Sequence, residues 1–270
     1  MTDPILHPRS QQQLAAALAH PPQAIILSAP AGMGKAYVAR WLAARLVGSE
    51  NFPYLHRVQP VDGKAIGIEQ VRELISTMAL TVPGKQAVSR LGIIEDAHTM
   101  TVEAQNALLK TLEEPPRGTV LIMTSAQPQA LLSTIRSRAQ TVELLKPPLE
   151  LLGPHATSQQ LKLSDGLPGL TFALAHQDQD HPLLQAVTVV RSLLAASTFD
   201  RLTQVDSLAK DKLLAQNVMQ VTAHMSHAAL LTGKNSARWQ KVAQAAHQAQ
   251  VDQKAGVQPK LLVTSFMLSL

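Results

Sequence analysis

Apolar residues recur along the chain at two alternating periods, short solid runs and three-to-four-residue steps. RSQQQLAAALAH (9–20) has helical spacing, with Ser10 as the expected N-cap and Pro21-Pro22 as the stop. AIILS (24–28) is too brief for a helix and predicts a buried strand; a helix follows from Lys35 to about Val47. HRVQP (56–60) predicts a short strand. GIEQVRELISTMAL (67–80) places Ile68, Val71, Leu74, Ile75 and Met78 on one helical face and Arg72 on the other. RLGIIE is a strand ending in the carboxylates Glu95 and Asp96. Thr101 then caps a helix, with Ala104 at the capping-box position. Its inner face reads Val102, Ala107, Leu108 and Leu112, its polar face Gln105, Lys110 and Glu113, and Pro115-Pro116 ends it. TVLIMTSA (119–126) is the next strand, and PQALLSTIRSRA holds a short helix.

This order of strand, loop and helix with short connections predicts an α/β domain over 1–147, a parallel sheet covered by helices on both faces. Lys146-Pro147-Pro148 marks its edge. Residues 148–179 predict a small helical segment. From 180 to 270 the three-to-four-residue period continues without a catalytic cluster, as in a helical bundle.

Composition narrows the possible functions. A length of 270 residues with 46% hydrophobic and 16% charged residues suits two or three packed units. No run reaches the ~18–20 apolar residues that cross a bilayer, and MTDPILHPRSQQQ lacks a signal pattern, so no membrane is expected and the cytoplasm is the default. With no cysteine, disulfides, zinc–thiolate sites and thiol catalysis are excluded. The formal charge of +5 permits nucleic-acid contact, but no dense Lys/Arg tract requires it. Aromatics at 3% do not make a base-stacking platform.

Candidate chemistry gathers at strand ends. APAGMGKA (29–36) follows a strand and opens a helix, as a phosphate-cradling loop does, with Gly32, Gly34 and Lys35 where small residues and a cation are needed. Ala29 replaces the first glycine, and Ala36 replaces the Ser/Thr whose hydroxyl would bind Mg²⁺. Magnesium-dependent ATPases place Asp before Glu at the acidic strand end. Here Glu95 precedes Asp96, which leaves the second carboxylate short for activating water. Thr124-Ser125 ends the next strand, and these hydroxyls have an ordinary use in capping it. His224 and His227 are three apart but lack a third ligand, so no metal is expected.

IEQVREL, AQNALLKTLEEPP and LLSTIRSRA resemble the AAA+ subunits of bacterial sliding-clamp loaders, and within them the delta-prime branch of DNA polymerase III. The resemblance covers most of residues 10–145, weakens through 148–179 and is architectural beyond 180. It implies that Ser137-Arg138 is the family's Ser-Arg-Cys motif with Ala139 in place of cysteine. Arg138 would then act in trans as an arginine finger on a neighbour's γ-phosphate, while Arg136 lies outside the motif. It further implies that Thr124 sits at the nucleotide-sensing strand end and that Arg72 faces primed DNA. A solvated Arg72 paired with Glu69 or Glu73 is the competing view. Residues 148–179 become an abbreviated lid with Leu170 in place of a phosphate-binding arginine, and 180–270 the oligomerising collar. The four-cysteine zinc module frequent in the branch is absent, so no zinc is expected, and ATP or ADP would bind weakly if at all. Implied partners are the gamma/tau and delta subunits, with the sliding clamp and primed DNA reached through the complex. The alternative is an active AAA+ ATPase of gamma/tau type using Lys35 and Asp96.

Overall fold

Five short strands pair side by side, all in one direction. A computed structural model describes residues 1–61, 64–80, 87–178, 181–231, 233 and 236–270, divided into two compact units, Met1–Pro147 and Pro148–Leu270. In the first, α1 (Pro8–Ala19), β1 (Ala24–Ser28), α2 (Lys35–Val47), β2 (Leu55–Val58) and α3 (Ile68–Ala79) come in succession. They are followed by β3 (Arg90–Ile94), α4 (Val102–Glu113), β4 (Thr119–Ser125), α5 (Ser133–Arg136) and β5 (Gln140–Glu143). The strands form one parallel sheet in the order β2-β3-β4-β1-β5. This is the α/β architecture expected. Central strands with both faces covered must be apolar throughout, and β4 is buried along its whole length.

The register brings three strand ends together. Ser28 aligns with Ser125, and Ile94 with Met123, so the residues after β1, β3 and β4 share one rim. Ligands of open α/β sheets bind at such carboxyl ends. Below the rim, α3 and α4 bury Val71, Leu74, Met78, Ala104 and Leu108 against the sheet. Gly92 of β3 leaves room there: a Cβ would lie 2.8 Å from Leu121 Cδ1 and 3.0 Å from Met78 Sδ, so those side-chain ends would have to shift.

Four local expectations are corrected. The first helix opens at Pro8, not Arg9, because proline's fixed φ and missing N–H suit the first turn; the His7 side chain caps it. Ser10 is therefore not the N-cap. It is fully buried, donating to the Glu143 carbonyl (2.8 Å) and accepting from the Leu145 amide (2.9 Å), which stitches α1 to the end of β5. The edge strand runs 55–58, not 56–60; Pro60 has no amide for a ladder. On α4, Val102 is 58% exposed, whereas Gln105, assigned to the polar face, is 3% exposed. Its Nε2 donates to the carbonyls of Met100 (3.2 Å) and Ala130 (3.4 Å), and its Oε1 accepts from the Leu132 amide (2.8 Å). The side chain thus does what backbone pairing cannot do in the 130–132 turn.

The second unit is helical. It contains α6 (Leu149–Leu152), α7 (Ser158–Leu163), α8 (Pro168–His176), α9 (Pro182–Ala195), α10 (Thr198–Thr203) and α11 (Val205–Lys210). Then come α12 (Lys212–Leu231), α13 (Ser236–Lys254) and α14 (Pro259–Ser269). α12 packs against α9 and α13, and it also meets α7. Leu170 on α8 is fully buried, an apolar core position. Both His224 and His227 face Asp165, with Nδ1–carboxylate distances of 3.5 and 3.3 Å. Among the described residues no group of three or more His, Cys, Asp or Glu has the arrangement of a metal site. No helix there is long and apolar enough to cross a membrane.

Replacing Gln105 by Leu should destabilise the protein by about 2–4 kcal/mol, since it leaves an amide and two carbonyls without their partner. Val102→Ala on the same helix should stay within about 0.5 kcal/mol. Urea unfolding of both variants measures the contrast.

Candidate nucleotide site and interface arginine

The loop after β1 is held at its base by the Ala29 amide, which donates to the Ser125 carbonyl (3.2 Å). Gly32 (φ +85°) and Gly34 (φ +78°) take left-handed conformations that a Cβ would strain, and Gly34 is the N-cap of α2. The backbone thus curls over a helix N-terminus, the arrangement that receives phosphate. The side chains are arranged otherwise. Lys35 is 7% exposed and its ammonium donates to the Pro30 carbonyl (3.2 Å). Burial pulls its pKa below the usual lysine range, against the opposing charge of Asp96. Ala36 presents only a methyl. The loop backbone fits a phosphate, but the side-chain set does not fit a magnesium-bound nucleotide.

The acidic pair is split between two directions. Glu95 lies 3.9 Å from the Arg57 guanidinium of β2. Asp96 sits in the left-handed region (φ 48°), and its amide donates to Thr124 Oγ1 (2.9 Å). Thr124, 1% exposed, therefore ties the end of β4 to the end of β3. The Asp96 carbonyl accepts from Thr99, both amide and hydroxyl at 2.8 Å, and so closes a tight turn. That turn brings His98 into the same electrostatic group as Asp96 and Lys35. Desolvation holds the His98 pKa below its ordinary value; Asp96 opposes this and Lys35 reinforces it. The His98 Nδ1 is buried without a partner among the described residues.

His98 and Arg57 were not anticipated from the sequence. His98 stands two residues beyond the acidic pair, which was the available signal. Nothing local marks Arg57, because its meeting with Glu95 follows from β2–β3 register (Val58 opposite Ile94).

Arg138 lies at a separate place in the unit. Leu131 and Ile135 are buried and anchor α5, so the residues just past its end have a fixed origin. From there the Arg138 guanidinium reaches back: Nη1 donates to the Thr134 carbonyl (3.0 Å) and to Ser137 Oγ (3.5 Å). Nη2 donates to Glu113 Oε1 (2.8 Å) at the end of α4. The Ser137 hydroxyl donates to that same Thr134 carbonyl (3.1 Å). Arg136 is exposed. Arg72 is exposed too and pairs with Glu69 at 2.9 Å, the solvated arrangement weighed against a DNA-facing one. The structure thus brings Gly32, Gly34, Lys35, Asp96 and Thr124 to one rim, turns Glu95 toward Arg57, and leaves Arg72, Ser137 and Arg138 on α3 and beyond α5.

A parallel sheet of order 2-3-4-1-5 with a phosphate-type loop after β1 is a fold found in solved proteins. The same fold occurs in a DNA polymerase III gamma subunit-related protein from Thermotoga maritima, at 16% identity and a TM-score of 0.56, covering 96% of this chain and 97% of that one. The sequence relatives include delta-prime subunits. A family model described as "DNA polymerase III, delta subunit" matches residues 44–148. DNA polymerase III subunit delta' of Bacillus subtilis is 37% identical over 146 residues, 54% of this chain and 41% of that protein. Its counterpart in Pseudomonas aeruginosa is 32% identical over 204 residues, 63% of this chain and 61% of that one. The chain therefore spans less than two thirds of the length of these relatives.

His98 has a pH signature. Above its ordinary pKa of about 6.5 the imidazole is neutral in both states and contributes no pH dependence. As pH falls through that value the unfolded chain takes the proton first. Stability therefore drops, by at most about 1.4 kcal/mol per pH unit. Urea unfolding at pH 7 and pH 5 should show a smaller acid loss for His98→Gln than for the wild type; equal losses would mean that the imidazole titrates as freely when folded.

Proposed function

We propose that the protein is a subunit of the DNA polymerase III clamp loader that supplies Arg138 in trans to ATP on a neighbouring subunit and hydrolyses little or none itself. The carrying observation is the contrast between its two sites. At its own rim the magnesium hydroxyl is replaced by Ala36, Lys35 is buried on the Pro30 carbonyl, and Glu95 pairs with Arg57. Arg138, by contrast, is held at the end of α5 with its Nε–H and one Nη2–H lacking an acceptor among the described residues. A guanidinium with spare donors matches phosphate and stabilises charge in phosphoryl transfer. The delta-prime and gamma/tau names of its relatives support the same assignment. On this reading the partners are gamma/tau and delta subunits, with the sliding clamp and primed DNA engaged through the complex, and the protein works without zinc.

Two measurements test this. Alone, the protein should show negligible ATP hydrolysis; turnover comparable to a gamma/tau subunit would favour the active-ATPase reading. In the assembled loader, Arg138→Ala should lower DNA-dependent ATPase by about threefold or more without loss of assembly, whereas Arg136→Ala should not. Unchanged turnover in Arg138→Ala would remove the finger assignment.

Nucleotide binding is a separate question, answered by calorimetry on the isolated chain. With a methyl at Ala36, any ATP or ADP should bind weakly, with Kd above about 0.1 mM. Magnesium should leave that affinity unchanged. Tight, magnesium-dependent binding would mean that the loop supplies a metal shell by other groups.

A further inference from the structure

Glu113 is an exposed carboxylate at the last position of α4, and Arg138 follows it 25 residues later. The pair is 51% and 35% exposed, a setting in which an ion pair contributes little to stability. Its effect is on conformation. An unrestrained arginine side chain samples many rotamers, and ordering it when a phosphate arrives costs free energy. Here acceptors for the guanidinium are already in place, Thr134 and Ser137 at Nη1 and Glu113 at Nη2. The first two acceptors belong to the same short segment as Arg138. Glu113 alone comes from another helix, and that helix buries Ala104, Leu108 and Leu112 in the core while Gln105 bonds it to the turn before α5.

We propose that Glu113 is a positioning residue for Arg138, referencing the guanidinium to the rigid sheet-packed helix so that its unspent donors are presented to a neighbour's phosphate. Placement of a charged group matters steeply in catalysis, because small displacements forfeit much of the gain. The carboxylate does not touch the phosphate; it acts through the arginine. This inference rests on the finger reading above, but the ordering of Arg138 by Glu113 is separately observable.

In the complete loader with its ATPase subunits, Glu113→Ala should lower kcat for DNA-dependent ATP hydrolysis by about three- to tenfold, with KM for ATP little changed. Glu113→Gln, which keeps an acceptor oxygen, should recover most of the rate. On an Arg138→Ala background, Glu113→Ala should cost nothing more. In the isolated chain, arginine side-chain ¹H–¹⁵N spectra should show Arg138 restricted in the wild type and averaged in Glu113→Ala. An equal loss with and without Arg138, a rise in turnover, or an Arg138 signal indifferent to Glu113 would each overturn the proposal. If Arg138→Ala itself leaves the ATPase unchanged while Glu113→Ala still frees the side chain in the spectra, the finger reading fails and the ordering role stands.

Discussion

Much of the first unit depends on one buried amide. Gln105 lies on the inner side of α4, where an apolar residue would be the default, and it satisfies three backbone groups at once. Two of them, the Ala130 carbonyl and the Leu132 amide, belong to the link between β4 and α5. That link has no ladder of its own. Of the three bonds only the one to the Met100 carbonyl is fully buried, and a buried group left without its partner costs about 1–3 kcal/mol. The amide therefore decides where α5 starts, Leu131 and Ile135 lock it against the core, and Arg138 emerges at a fixed distance beyond. The opposite end of the same helix carries Glu113. One rigid rod, seated on the sheet by Ala104 and Leu108, sets both the root and the tip of the arginine.

The rim beside β1 has a different balance of forces. Lys35, Asp96 and His98 form a small group of charges in which burial is the largest influence on both the lysine and the histidine, and each is pushed toward its neutral form. A lysine kept for binding phosphate would be expected to project its ammonium into the loop's opening; this one spends it on the Pro30 carbonyl. The turn at Asp96 is closed by Thr99 and Thr124, which makes the acidic pair part of the scaffold joining β3 to β4. Lys35, Asp96 and His98 thus bear on one another's charge, and the Asp96 turn on the joining of β3 to β4.

The architecture was legible in the sequence because parallel strands with both faces covered must be continuous apolar runs. AIILS and TVLIMTS could hardly be anything else between glycine, proline and helical periods. The bounds of α2 follow from Gly34 and Gly48, left-handed at both ends. Errors arose where a polar side chain serves a distant backbone. Ser10 looks like a cap but bonds to residues 143 and 145, and Gln105 looks solvated but bonds across to 130 and 132. Residue type tells that such a group needs a partner, not where the partner is. The same limit applies to the sites. Spacing located Lys35 and Asp96, and the family resemblance pointed to Arg138, whereas the splitting of the acidic pair by Arg57, the entry of His98 and the hold of Glu113 on Arg138 exist only once strands and helices are registered.

These two behaviours fit together in one domain because they make different demands on it. Cradling phosphate requires a loop backbone of given curvature, and that curvature is also what joins β1 to α2 in this topology; Gly32 and Gly34 remain necessary for the turn whether or not a nucleotide sits above it. Hydrolysis adds requirements on a few side-chain tips, the hydroxyl at 36 and the reach of the carboxylates. Those tips can change without disturbing the sheet. The arginine is less separable: core contacts of α4 and α5 set where its backbone emerges, and exposed Glu113 at the end of α4 holds its tip. Side-chain tips at the rim can thus be exchanged singly without disturbing the sheet, whereas the root of Arg138 moves only if the packing of α4 and α5 does.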